Sequence, residues 1–267
     1  MEINIFRGRI SVEKRIALVT GAGRGIGRAI AIGLAKDGVD VALTARTETE
    51  LTEVAQEVEQ HGQRALCVVA DLATPEAPEK GFAETEAWGE VNILVNNAGI
   101  GSSYAPGPLV NFDDDYWNLT MALNVNAPYH LTKLYLPTMM TQGWGRIINI
   151  ASINAKVTAM HGAAYTVSKH ALAGLTKSTA VEVVRDGITA NAVCPGVTKT
   201  AMNNKRLQYD EQRTGLAFEE LEKNASPLGR RLVPDEVAAL SVFLATEGAS
   251  GINGQLLNVC GGRVLAG

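Results

Sequence analysis

Short apolar runs rich in β-branched residues recur along the chain at 15–20, 40–45, 65–70, 92–95, 146–151, 189–194 and 255–259. Several are apolar at consecutive positions instead of alternating, as expected of strands covered on both faces. Between them lie longer stretches with apolar residues three and four apart, at 26–36, 48–61, 117–142, 163–185 and 234–245, which predict amphipathic helices. The alternation of strand and helix never breaks. It predicts an α/β fold, a parallel sheet of about seven strands with helices on both faces. No linker, internal repeat or low-complexity tract interrupts it, so residues 1–267 read as one domain. One segment departs from the pattern. From 198 to 226 the chain is polar, charged and weakly periodic, with Asn203, Asn204, Lys205, Arg206, Tyr209 and Arg213. Such a stretch inside a compact domain reads as a substrate-binding lid, with a plain surface excursion as the alternative.

Composition narrows the function classes. The chain has 267 residues, 46% hydrophobic and 19% charged, with a formal net charge of -4, an ordinary globular balance with no basic footprint for nucleic acid. No apolar run approaches the roughly 20 residues of a membrane span. Residues 1–15 lack the long apolar centre of a secretory signal. Cys67, Cys194 and Cys260 are widely spaced and odd in number, each within an apolar run. They suggest neither a disulfide framework nor a metal site, but buried free thiols in a reducing cytoplasm.

The first predicted strand runs into Thr20-Gly21-Ala22-Gly23-Arg24-Gly25-Ile26-Gly27 and then a helix. Glycines allow the tight turn and close backbone approach that a pyrophosphate needs, and the N–H groups of the helix start attract its charge. The spacing, carried by Gly21, Gly25 and Gly27, is not the usual dinucleotide fingerprint, because Ile26 stands where that pattern has its third glycine. A glycine turn without a ligand is the alternative. The second strand ends at Ala45, where an NAD-selecting enzyme usually has an acid, and Arg46 follows. Arg46 and Arg24 together suit a 2′-phosphate, so NADP(H) is expected, with NAD(H) as the other choice if Arg46 is only a solvated charge.

Three further stretches carry the candidate chemistry. Asn124 lies in Leu123-Asn124-Val125-Asn126, Ser152 ends the fifth strand, and Tyr165 and Lys169 stand four apart on a predicted helix, hence on one face. An ammonium beside a phenol stabilises the phenolate and should lower its pKa, making Tyr165 a proton donor and acceptor near neutral pH. Ser152 can hold a carbonyl oxygen against it. In isolation, Tyr165 would equally suit a core tyrosine.

In conjunction, these residues resemble the short-chain dehydrogenase/reductase family, in its branch of about 250 residues. The resemblance covers about 14–262 and implies a Rossmann-type doubly wound sheet. It matches the glycine motif to 20–27, the adenine-side acid to Asp71 followed by Leu72, and the Asn-Asn-Ala-Gly motif to Asn96, Asn97, Ala98 and Gly99. The catalytic set falls on Asn124, Ser152, Tyr165 and Lys169, and Pro195-Gly196 with Thr198 and Thr200 resembles the segment that grips the nicotinamide. The implied roles are Tyr165 as acid and base, Lys169 on the nicotinamide ribose, Ser152 on the substrate, and Asn124 holding a water. A homotetramer assembled through the long helices and the last strand is implied as well.

The substrate is less legible. The stretches 145–152, 188–196 and 257–262 resemble ketoreductases of 3-oxoacyl or polyketide thioesters, and the first two also resemble 3-hydroxybutyrate dehydrogenases. Candidate lining residues are Asn154, Met160, His161, Val197 and Met202, His161 reading more naturally as a rim residue than as a second acid. Lys205, Arg206 and Arg213 could meet a CoA or carrier-protein arm, or be a solvated charged lid. A ketoreductase using NADPH is the first expectation, a dehydrogenase of a secondary alcohol or hydroxy acid the second. A non-catalytic nucleotide sensor, the third, has no need of the full catalytic set.

Overall fold

The computed structural model describes residues 15–265. The expectation of no secretory leader rests almost entirely on residues 1–14, which lie outside the described residues. Seven parallel strands, β1 (Ile16–Thr20), β2 (Asp40–Ala45), β3 (Ala65–Val69), β4 (Ile93–Asn96), β5 (Gly145–Ile150), β6 (Ile188–Pro195) and β7 (Leu256–Val259), form one sheet. Their order is β3-β2-β1-β4-β5-β6-β7. Each strand falls within one residue of its expected bounds.

The helices are α1 (Gly25–Lys36), α2 (Glu48–Gln60), α3 (Ala77–Trp88), α4 (Asp114–Met121), α5 (Ala127–Gln142), α6 (Ala163–Val183), α7 (Ala201–Thr214), α8 (Phe218–Lys223) and α9 (Pro234–Leu244). Successive strand residues point to opposite faces, and both faces are buried. Ala17, Val19, Ile93, Val95, Ile148 and Val193 pack with α1, α2 and α9. Leu18, Leu94, Ile147 and Ala190 pack with α5 and the end of α6 on the other side. Continuous apolar runs are therefore what these strands require.

Three elements differ from the sequence expectation. The expected helix at 117–142 is α4 and α5 joined by a wide π turn at Ala122–Asn126. Pro128 in the first turn of α5 has no N–H for the carbonyl one helical turn back, which favours the wider turn. The segment expected to be weakly periodic contains α7 and α8; α7 buries only Leu207, so its apolar stripe is nearly absent. A helix also forms at α3, where Pro78 and Gly81 obscure the pattern and only Ala77, Pro78 and Thr85 are buried.

The direction of winding changes between β1 and β4, which lie side by side with Val19 opposite Val95. Ligands of open α/β sheets bind at the carboxyl ends of the strands beside such a point. The loops leaving β1 and β4 carry the glycine turn and the Asn97–Gly99 stretch there.

Candidate active site

At the glycine turn, Gly21 and Gly25 have φ of +63° and +57°, a region that suits glycine. A Cβ on Gly27 would lie 2.2 Å from the Gly21 carbonyl oxygen, so α1 starts directly against the turn. Arg24, at the N-cap, provides no side-chain cap, and the first turn has no acid. The N–H groups there keep their attraction for an anion. Thr20 and Asn97 brace the turn from β1 and β4. The Thr20 hydroxyl accepts from the N–H groups of Asn97 and Ala98 (2.9 Å each), and the Asn97 amide donates to the carbonyl of Thr20 (2.8 Å). The glycine cradle, the uncapped helix start and the bracing fit a dinucleotide pyrophosphate.

The corner beyond β2 holds more charge than the sequence suggested. Arg24 and Arg46 are both largely exposed; Arg24 pairs with Glu50 at 3.4 Å and Arg46 with Asp71 at 3.9 Å. Glu50 comes from α2 and lies against Gly23, close to Ala45. Judged along the chain, the corner had no acid at the end of β2; in space a carboxylate reaches it from the next helix. Asp71 and the buried Leu72 follow β3.

On the other side of the switch point the catalytic candidates converge. Asn124 sits in the π turn, fully buried. Its Oδ1 accepts from the Ile100 N–H (2.8 Å), and its Nδ2 donates to the Ile100 carbonyl and to Ser168 Oγ (3.0 Å each). It thereby ties the loop after β4 to α6. Ser152 caps the short turn Ile153–Ala155 after β5 and accepts the Asn154 N–H at 3.1 Å. Lys169 is buried and donates to the Ile150 carbonyl at 2.9 Å, with its Nζ 5.6 Å from the centre of the Tyr165 ring.

Burial acts on both titrating groups. It pulls the Lys169 ammonium down to about 8, with the neighbouring Cys194 opposing. Burial pushes the Tyr165 phenol up; a hydrogen bond with Ser152 pulls the other way and Cys194 adds to the rise. The sequence expectation was a lowered Tyr165 pKa; burial, the largest influence, turns the direction upward. Cys194 is fully buried, its thiol pushed up by burial, and Cys260 is buried as well. Cys67 is only half-buried, against expectation, because β3 is the last strand at its edge of the sheet.

The remaining candidates surround this centre. Pro195 ends β6, Gly196 packs on Cys260, and the buried Thr198 hydroxyl donates to the Gly196 carbonyl. Val197 accepts from the Leu232 N–H at 3.0 Å. Thr200 caps α7 and approaches Gly25; Met202 covers Gly101. Met160 is 62% exposed, so it lies on the rim and not in the depth of the site. His161 Nδ1 meets the Tyr209 hydroxyl at 2.6 Å. Ser168 was not among the sequence candidates, and Thr20 and Tyr209 entered only as parts of the glycine motif and the lid, because their partners lie on elements distant in sequence. Among the described residues no cluster of His, Cys, Asp or Glu could hold a metal, and no helix is long and apolar enough to cross a membrane.

The family model for short chain dehydrogenase matches residues 15–211. D-beta-hydroxybutyrate dehydrogenase of Cupriavidus necator is 36% identical over 258 residues, covering 94% of this chain and 98% of its own. The 3-oxoacyl-[acyl-carrier-protein] reductase of Escherichia coli (strain K12) is 38% identical over 257 residues, covering 96% of this chain and 100% of its own. A variant of actinorhodin polyketide ketoreductase, solved with NADPH, superposes with a TM-score of 0.87 at 36% identity, over 93% of this chain and 96% of that one. A glycine turn at the switch point, a serine after β5 and a Tyr-x-x-x-Lys pair on α6 thus stand in a chain that belongs to the short chain dehydrogenase family.

Proposed function

We propose that the chain is an NADP(H)-dependent ketoreductase, reducing a 3-oxoacyl thioester or polyketide-like ketone to a secondary alcohol. The observation that carries this reading is the meeting of Ser152, Tyr165, Lys169 and Asn124 beside a turn shaped for a pyrophosphate. Gly21, Gly25, Ile26 and Gly27 would hold the pyrophosphate, Arg24 and Arg46 the 2′-phosphate, and Asp71, Leu72, Asn97, Ala98 and Gly99 the adenosine side. Pro195, Gly196, Thr198 and Thr200 would hold the nicotinamide end. When bound, the dinucleotide supplies the hydride.

Tyr165 gives its phenolic proton to the carbonyl oxygen as that oxygen gains charge. Burial keeps the phenol protonated at neutral pH, the form a proton donor needs. Ser152 donates a hydrogen bond to the same oxygen and fixes it against Tyr165. Lys169 uses one N–H on Ile150 and keeps others for a ribose hydroxyl, while its charge favours the departure of the Tyr165 proton. Asn124 holds the loop after β4 and α6 in register. Residues 198–226 act as the lid of a single domain, with Asn154, Met160, His161, Val197 and Met202 toward the substrate. We also infer a cytoplasmic homotetramer, from the unpaired cysteines and the family resemblance.

Initial rates with acetoacetyl-CoA test the reading. Turnover with NADPH at least about tenfold faster than with NADH is expected, and a Tyr165→Phe protein should lose about 10²–10⁴-fold in kcat. Oxidation of a hydroxy acid such as 3-hydroxybutyrate is the second reading, favoured by the carboxylate of Glu50 beside Arg24. An NADH preference would select it.

A further inference from the structure

The lid helix α7 grips the loop that leads into α6. Arg206 donates from Nη2 to the Met160 carbonyl at 2.8 Å and from Nη1 to Ser102 Oγ at 3.1 Å. Asp210 holds the same guanidinium through both carboxylate oxygens, at 2.8 and 3.0 Å, and Arg213 adds a second cation on Asp210. Arg206 also lies over the Tyr209 ring, 5.4 Å from its centre, and the Tyr209 hydroxyl meets His161. With four hydrogen bonds within the protein, Arg206 has little left for an incoming anion. A direct contact with a CoA or carrier arm is therefore a poor use of this residue.

The gripped turn is itself unusual. His161 has φ of +56°, the one non-glycine residue with positive φ among those described, in a region that Asn tolerates better than most residues. Gly162, next in the chain, is the N-cap of α6, and its position beside Ser102 brings the loop after β4 into the same cluster. Tyr165 follows three residues later. At its other end α7 begins at Thr200 against Gly25 of the glycine turn. One helix thus runs from the phosphate cradle to the turn that launches the catalytic tyrosine.

We propose that Arg206 and Tyr209 are positioning residues that hold turn 160–162, and through it the first turn of α6 with Tyr165, in the geometry the ketone needs. This deepens the ketoreductase reading and rests on it for the substrate. The helix secures the turn by a charge-assisted hydrogen bond from Arg206 to the Met160 carbonyl and a hydrogen bond between Tyr209 and His161. Losing either loosens a loop on a different element from the one mutated.

Hydrogen–deuterium exchange of the full chain, as wild type, Tyr209→Phe and Arg206→Lys, tests the grip without any turnover. Amides of 157–166 should exchange about fivefold faster or more in both variants. In parallel, KM for acetoacetyl-CoA should rise about tenfold, with the NADPH Kd from fluorescence titration within about twofold of wild type. His161→Asn, which keeps a residue suited to the turn, should add little when combined with Tyr209→Phe. Unchanged exchange at 157–166, or equal losses of NADPH and ketone affinity, would overturn the proposal. A wild type that does not reduce acetoacetyl-CoA would count against the ketoreductase reading alone, since the exchange result decides the grip.

Discussion

Burying an ammonium at Lys169 costs the folded state free energy that the chemistry needs in place. Its pKa falls from an ordinary 10.5 to about 8, so between those values the unfolded chain holds the proton and the folded chain releases it. Stability contributed by this site therefore rises with pH across that window, and the penalty is fully present below about pH 8. Lys169→Met removes the charge, at the cost of leaving the Ile150 carbonyl without its donor. The net gain at pH 7 is about 1 kcal/mol, a few degrees in Tm for a chain of this size. Melting curves from pH 7 to 10 should show the wild type catching up with the variant as the lysine loses its proton. Curves that stay parallel would mean that Lys169 titrates in the folded protein as it does in water. Tyr165 has the opposite sense. Burial holds its phenol above the usual value of 10, so its contribution to stability falls as pH rises past that value.

At the scale of elements, the meeting of β1 with α1 is tightly constrained. A methyl on Gly27 would press on backbone, the Gly21 carbonyl at 2.2 Å, and on the Asn97 amide at 2.5 Å. Neither can swing aside, so Gly27→Ala should cost about 2–4 kcal/mol and weaken NADPH binding by at least about tenfold. Gly81→Ala is the matched control. The site is within α3, and its Cβ would make only ordinary contact with Val68 at 3.7 Å. It should stabilise by about 0.5–1 kcal/mol; a loss there would mean that α3 is not a regular helix at Gly81. The same two glycines show what was legible in the sequence. The glycine turn could be read because its spacing is local and the strand and helix beside it have strong patterns. Helix α3 could not, since Pro78 and Gly81 break the periodicity and the helix buries little. The four catalytic candidates could be read as a set because they stand in order along the chain. The grip of Arg206 and Tyr209 on turn 160–162 could not, because it joins residues some 46–48 apart through a helix with almost no apolar stripe. Glu50 escaped notice because it reaches the Arg24 corner from the first turn of α2 and not from the end of β2.

The whole molecule leaves a row of apolar side chains uncovered. Val167 and Val181 are exposed along α6, Val181 to 78%, and Val184 is exposed just past its end; 14 residues apart, Val167 and Val181 share a helix face. Tyr129 and Met140 are similarly exposed on α5. A two-fold interface uses the same patch on both copies, so each substitution acts twice. Hiding one such valine contributes about 1.5–3 kcal/mol, and a carboxylate in its place would add the cost of burying a charge. Val181→Glu should therefore split the proposed tetramer into smaller species, while the NADPH Kd of the chain changes by less than about twofold, because the substitution lies at the far end of α6 from Tyr165 and Lys169. Light scattering of wild type and variant decides the matter. A wild-type monomer would remove the tetramer from the account, and a variant that remains tetrameric would move the interface off this face of α6, leaving the exposed valines to some other contact.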